Sequence, residues 1–209
     1  MATRTYNSDL RLRKQAELKA RIAAAVASLH AEKGVNATSY AEIAAKAKVS
    51  LPTVYAHFPN QWELLQGCTA HVAAQAPPLP VEALLAAPNL RAAAESMVEA
   101  VEQQHLHYEP WLAWREDRLI PFLAQMTGHA RAELASLIGR VLRRHLGPGD
   151  HREVIAAWES MLSFDFWHRL ARTHGLSKPA VRRVMVRGLQ ALAAPQNATE
   201  TKRLSRRNR

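Results

Sequence analysis

The chain has 209 residues, 48% of them hydrophobic and 6% aromatic, and a net charge of +10. This length provides a core for one large or two small domains, and the scarcity of aromatic residues favours helix over strand. The absence of a long apolar run and of a signal peptide, together with the lone Cys68, argues against membrane and secreted classes and indicates a cytoplasmic protein.

The positive charge is concentrated at the two ends of the chain. Residues 1–60 hold nine Lys/Arg against four Asp/Glu, residues 61–199 hold fourteen against thirteen, and the last ten hold five against one. A basic first quarter followed by a nearly neutral remainder is typical of a nucleic-acid-binding head, with a general solubilising charge as the alternative. We expect residues 196–209 to be a disordered basic tail.

Four helices are predicted before the first cluster of prolines. The first helix carries one apolar stripe at helical spacing, formed by Leu18, Ile22, Val26 and Leu29. Thr38 or Ser39 caps a short second helix near 39–47, and Ser50 caps a third near 51–58, with a proline in its first turn. A fourth amphipathic helix follows.

The prolines within residues 77–80 predict a boundary between a domain of residues 1–76 and one of residues 81–195. Helical periodicity continues beyond them, with predicted helices near 88–107, 110–126, 128–146, 151–174 and 177–193. The sequence contains no internal repeat and no alternating strand pattern. The predicted fold class is therefore all-α.

The two short helices, joined by "KVS" and flanked by longer ones, have the layout of a helix-turn-helix. In that motif the second short helix enters the major groove of DNA. The side chains predicted to face base edges are Leu51, Pro52, Thr53, Ala56 and His57. Those predicted to reach phosphate are Thr38, Ser39, Lys46, Lys48, Tyr55 and His57. Alone, Tyr55 or His57 could be a core ring or a solvated side chain; the spacing of the set favours DNA contact.

Residues 38–65, "TSYAEIAAKAKVSLPTVYAHFPNQWELL", resemble the DNA-binding head of the tetracycline-repressor (TetR) family of bacterial transcriptional regulators. The family's T-T-x-x-x-I-A and V-S-x-x-T-x-Y-x-H-F patterns are met by Thr38, Ser39, Ile43, Ala44, Val49, Ser50, Thr53, Tyr55, His57 and Phe58. Lys48 stands where the family usually has glycine, and Gln61 where it usually has lysine. The resemblance implies that Ser50 and Gln61 also belong to the DNA-binding surface, because glutamine can still hydrogen-bond a phosphate.

The resemblance further implies a homodimer that binds a pseudo-palindromic operator, with a C-terminal helical domain for dimerisation and effector binding. The apolar residues assigned to the dimer interface are Trp158, Leu162, Phe166, Val181, Val184, Met185, Gly188 and Leu192. Those assigned to the effector pocket are Tyr108, Trp111, Trp114, Phe122, Trp158 and Asp165. The alternative for both sets is ordinary burial inside the chain's own core.

The sequence lacks metal-ligand spacing and catalytic motifs, so we expect no metal, no cofactor and no enzymatic activity. The predicted function is that of a homodimeric, ligand-responsive repressor that a small molecule releases from its operator. One alternative is a DNA-binding regulator without an effector. The other is a helical adaptor or an enzyme with a helix-turn-helix remnant that no longer reads DNA, which the departures at Lys48 and Gln61 would favour.

Overall fold

The computed structural model describes residues 2–118 and 120–194, with side chains from residue 9 onward. Throughout these residues the secondary structure is helical and no strand occurs, which confirms the predicted all-α class. The helices are α1 (Ala2–Lys33), α2 (Tyr40–Ala47), α3 (Leu51–His57), α4 (Gln61–Ala73), α5 (Val81–Ala86), α6 (Leu90–Leu112), α7 (Pro121–Leu146), α8 (Arg152–Met161), α9 (Phe164–His168) and α10 (Lys178–Ala193). A 3₁₀ turn spans Glu116–Arg118, and a π-helical turn spans Arg169–Thr173. None of the described helices is both long and apolar enough to cross a membrane.

Side-chain caps set the ends of the short N-terminal helices. Ser39 Oγ accepts from the backbone N–H of Glu42 at 3.3 Å, and the Glu42 carboxylate accepts from the N–H of Ser39 at 2.9 Å. Ser50 Oγ accepts from the N–H of Thr53 at 3.3 Å in the same way. Ser39 is therefore the cap of α2, whereas the hydroxyl of Thr38 donates to the carbonyl of Gly34 at 2.7 Å.

The later helices differ from their predicted bounds. α6 continues to Leu112 past Pro110, and α7 runs unbroken through Gly128. A proline near the last turn removes one donor without preventing the turn, and a helical glycine costs only about 1 kcal/mol. The helix predicted over 151–174 is interrupted instead at Ser163, whose hydroxyl accepts from the N–H of Phe166 and starts α9.

The chain forms two compact units that are not consecutive in sequence. The first, here called the head unit, contains the chain up to Pro78 together with Gln104–His129. The second, the body unit, contains Leu79–Gln103 and the described residues from Ala130 onward. The proline cluster thus coincides with one boundary, while the segment 104–129 packs with the head unit. The functional domains of residues 1–76 and 81–195 stay a prediction, and the tail of residues 196–209 lies outside the described residues.

The stripe of α1 forms the centre of the head unit's core. Ile22, Val26 and Leu29 are buried, and Leu18 packs against them half-buried. They meet buried residues of the next three helices: Ile43, Ala44, Ala47, Val54, Phe58, Leu64, Cys68 and Val72. Because α2 and α3 each bury one face here, their opposite faces are left for solvent or a ligand.

The body unit has its own core, to which all of its helices from α5 to α10 contribute. Trp158 is wholly buried there, and its Nε1–H donates to the carbonyl of Leu189 at 2.9 Å. One carboxylate, Glu102, is also buried, and Arg182 Nε donates to its Oε2 at 2.6 Å. The paired charge links α6 to α10, since a buried carboxylate without such a partner would be strongly destabilising.

Candidate nucleic-acid interface

The turn between α2 and α3 closes without glycine. Lys48 adopts the left-handed conformation, with φ of 54° and ψ of 48°. The N–H of Lys48 donates to the carbonyl of Ala45 at 3.1 Å, and that of Val49 donates to the carbonyl of Ala44 at 3.0 Å. Lys48 thus adopts the backbone conformation that glycine favours, at a cost of about 1 kcal/mol for a residue with a Cβ.

α3 has one face buried in the head core and one face exposed to solvent. Val54 and the following Phe58 are buried in the head core. The residues predicted to face DNA are exposed (Leu51, Pro52, Tyr55, Ala56) or half-buried (Thr53, His57). A short helix with hydroxyl, imidazole and apolar groups on an open face has the geometry and chemistry for reading base edges and phosphates.

The ring of Tyr55 is held by Tyr40 of α2, which packs half-buried against the head core. Tyr40 stacks on Tyr55 with ring centroids 4.5 Å apart and an interplanar angle of 6°. The Tyr40 hydroxyl is buried and makes no hydrogen bond with the described residues. Its burial, and then the nearby Tyr55 and Glu63, raise the pKa of Tyr40 above its usual value. The stack thus orients Tyr55, which remains 47% exposed, toward solvent.

The lysines predicted to contact phosphate differ in whether they already form an ion pair within the chain. Lys46 forms an ion pair with Glu32, and Lys33 forms one with Glu42. Lysine and serine hydrogen bonds lower the pKa of Glu42 to about 2, so it is ionised at neutral pH. Exposed pairs of this kind are weak, so a phosphate can compete for Lys46. Lys48 is exposed in the turn and is more directly available.

The start of α4 lies next to this face and is positioned by close packing against α3. Gln61 is its exposed first residue, and the Asn60 side chain caps the helix by accepting from the N–H of Glu63 at 2.9 Å. A Cβ on Gly67 would lie 2.4 Å from the ring of Phe58, so the two helices approach as closely as glycine permits. The free N–H groups of this first turn suit an anion such as a phosphate.

Two tryptophans assigned to an effector pocket form hydrogen bonds with α1. Trp111 Nε1–H donates to the carbonyl of Ala27 at 2.9 Å. Trp114 Nε1–H donates to the carbonyl of Ala31 at 3.2 Å, one helical turn later. Both contacts lie within the head unit and bind the end of α6 and the turn after it to the last two turns of α1.

Glu116 anchors the loop between α1 and α2, a contact that the sequence does not reveal. Its Oε2 accepts from the N–H of Val35 at 2.6 Å, and its Oε1 accepts from the N–H of Asn36 at 2.9 Å. The preceding Gly34 has a φ of +83°, and a Cβ there would lie 3.0 Å from the Glu116 carboxylate. The carboxylate therefore fixes the loop from which α2 begins, although it is 80 residues away in sequence.

The six residues assigned to the effector pocket belong to two different units. Tyr108 and Trp111 pack against the head core, and Phe122 lies in a small cluster with Val35 and Leu65. Trp158 is enclosed in the body core, while Asp165 is exposed in the first turn of α9. The head-unit residues Tyr108, Trp111 and Phe122 make packing contacts there, and the effector-pocket assignment stays a prediction.

The residues assigned to the dimer interface separate into two groups. Four are at most 1% exposed within the body unit: Trp158, Leu162, Val181 and Met185. Their side chains pack in the unit's own core, and their assignment to a dimer interface stays a prediction. Gly188 is half-buried against Met161 and Phe166 is half-buried, while Val184 and Leu192 are 41% and 42% exposed.

The single cysteine lies inside the head core. Its Sγ is 3.5 Å from Nδ1 of His30, which is 3% exposed. Burial raises the pKa of Cys68 to about 12 and lowers that of His30 to about 4, so both are neutral at physiological pH. A protonated, enclosed thiol is poorly suited to nucleophilic or redox chemistry. The described residues also contain no group of three or more His, Cys, Asp or Glu able to hold a metal ion.

Comparison with known proteins agrees with this geometry. Residues 22–68 match the model of the bacterial regulatory proteins of the tetR family, whereas no curated protein matches the chain. A protein described as a TetR-family transcriptional regulator from Mesorhizobium loti has a similar structure, with TM-score 0.63, 21% identity, and coverage of 86% of this chain and 96% of that chain. A transcriptional regulator from Pseudomonas aeruginosa gives TM-score 0.62 and 20% identity, with 85% and 90% covered. At these identities the likeness shows the fold, and the matched family and both structures are regulators rather than enzymes. Residues 22–68, which span the second half of α1 through most of α4, are thus similar to the tetR family of bacterial regulatory proteins.

Proposed function

We propose that the chain is a homodimeric repressor that binds a pseudo-palindromic operator and is released from it by a small molecule. The observation that carries the DNA-binding part is the open face of α3, where the stacked Tyr55 stands beside Leu51, Pro52 and His57. One such helix buries too little surface for specific binding, so two copies on a two-fold symmetric site are required.

The test is a titration of the purified chain against DNA from upstream of its own gene, beside a scrambled duplex, at about 150 mM salt. We expect selective binding with two subunits per site. The double variant Tyr55→Phe/His57→Ala should lose that selectivity without unfolding, because the phenyl ring retains the stack on Tyr40. Selective binding that survives the double change would show that the contact surface is assigned wrongly.

Dimerisation is assigned to the exposed side of α10, where Val184 and Leu192 are the large apolar residues open to solvent. Exposed apolar side chains eight positions apart on one helix support packing against a second copy. Replacing both with glutamate should convert a dimer to a monomer in sedimentation experiments. A monomeric wild-type chain, or a dimer unaffected by the double change, would contradict the assignment.

Effector-independent regulation is the second candidate, and a specific observation favours it. Trp111 and Trp114, the aromatic residues most suggestive of a pocket, donate their ring N–H groups to carbonyls of α1. A thermal-shift screen separates the candidates, since a ligand that binds only the folded chain raises its melting temperature. One stabilising compound that also weakens operator binding supports the ligand-responsive repressor, and DNA-competent protein with no such compound supports the second candidate.

A further inference from the structure

The first half of α1 extends beyond the head core. Residues 9–17 are all exposed, and the contacts of α1 with the core begin at the half-buried Leu18. A helical segment of this length that buries nothing gains no stability from the core. It is therefore an exposed surface whose chemistry can be considered separately from the fold.

The exposed segment has two distinct faces. Counting back from Leu18, Lys14 is four residues earlier and Arg11 is seven earlier, so both continue the face of the apolar stripe. Arg13 is five residues earlier and lies on nearly the opposite side of the helix. On the N-terminal side of Leu18, the face of α1 that carries the apolar stripe thus becomes cationic.

One contact beside the core relates the exposed part of α1 to the end of α3. Lys19 Nζ lies 5.3 Å from the centroid of the Phe58 ring, at the residue that ends α3. At about 1.5 Å per residue, Lys14 is roughly 8 Å and Arg11 roughly 12 Å farther along the α1 axis. These cations therefore lie on the exposed extension of α1, five and eight residues before its contact with the residue that follows α3, in the same unit as α3. When α3 occupies the major groove, the phosphate backbones border the surface around it, and lysine and arginine bind such phosphates.

We propose that Arg11 and Lys14 form a second contact surface for the DNA backbone, flanking the base pairs that α3 reads. This inference rests on the proposed DNA-binding function and extends the footprint of each head. Phosphate contacts of this kind add affinity and register but no base specificity. A membrane surface is the competing partner, but Leu10 and Leu12 are two residues apart and share no face, so the segment lacks the apolar side of an interfacial helix.

The experiment measures the salt dependence of binding to a labelled duplex of random sequence, for which the operator need not be known. Each lost phosphate contact should reduce the slope of log K against log salt by about 0.9, which corresponds to roughly eightfold weaker binding at 0.1 M. The variants are Arg11→Ala, Lys14→Ala and their combination. Arg13→Ala is the matched control, with the same charge change on the opposite face of the same exposed segment.

We expect the double variant to lose about two units of slope and Arg13→Ala to match the wild-type chain. Equal slopes for the double variant and the Arg13→Ala control would overturn the inference. Unchanged DNA slopes combined with Arg11-dependent binding to phosphatidylserine vesicles would overturn it in favour of the membrane. Operator selectivity is measured in parallel: if it is present while the slopes are unchanged, only the flanking contact fails, and if no DNA is bound selectively, the proposed function fails.

Discussion

Removal of the Glu116 side chain should destabilise the head unit more than any other change at a half-exposed carboxylate. In Glu116→Ala, the N–H groups of Val35 and Asn36 lose their acceptor, which they reach at 2.6 and 2.9 Å. A hydrogen bond to a charged group contributes about 1.5–3 kcal/mol, and the bond to the exposed Asn36 contributes less because water can replace it. We therefore expect a loss of about 3 kcal/mol in the free energy of unfolding.

Urea unfolding followed by tryptophan fluorescence measures this loss, since Trp111 and Trp114 are close in sequence and bonded to α1 in the same unit. Glu116→Gln keeps one carbonyl oxygen as an acceptor and should lose roughly half as much, because its bonds are not charge-assisted. Glu133→Ala is the control, as this exposed glutamate on α7 should change stability by less than about 0.5 kcal/mol. If Glu116→Ala behaved like Glu133→Ala, the loop before α2 would not depend on the carboxylate, and the reasoning would be refuted.

Three further predictions concern the packing, titration and turn of the head unit. Gly67→Ala should lower the free energy of unfolding by about 1–3 kcal/mol, because its Cβ would overlap the buried Phe58 ring. Gly128→Ala, which has open space around its Cβ, should be neutral or stabilising in the same urea assay. Burial lowers the pKa of His30 from 6.5 to about 4, so the unfolded chain binds the imidazole proton more readily than the folded chain does. The stabilising contribution of the neutral imidazole is therefore complete above pH 6.5, and the free energy of unfolding should fall by about 3 kcal/mol as the pH falls to 4. A His30→Gln variant should not show this loss. Lys48→Gly should relieve about 1 kcal/mol of strain in the left-handed backbone conformation and so raise the melting temperature, and it should weaken DNA binding. A lower melting temperature would contradict the inferred strain.

The sequence predicted the head well because its signals are local. A serine and the residue three positions later define a cap, and both Ser39 and Ser50 act as the pattern indicates. The stripe of α1 and the outer face of α3 likewise depend only on helical periodicity. In these elements the interacting groups are separated by a few residues, so spacing alone carries the information.

The remaining parts of the head depend on contacts that no local pattern encodes. Trp111 lies 84 positions from the carbonyl that it bonds, and Glu116 lies 81 positions from Val35. An aromatic and acidic segment at that distance has the composition of a ligand pocket, and only the fold shows that its polar atoms are used to hold α1. The apolar faces of α8 and α10 were ambiguous for the same reason, since periodicity does not say whether a stripe meets its own core or a partner.

The discontinuous make-up of the head unit has a consequence for synthesis on the ribosome. The helix pair is complete once Pro78 has been added, but the segment that bonds α1 and its following loop ends at His129. At about 5–20 residues per second, the intervening stretch takes roughly 3–10 s to translate. During that interval the nascent head has α2 and α3 but lacks the indole donors and the carboxylate. Its final stability is therefore acquired only after α5, α6 and the first part of α7 have been made.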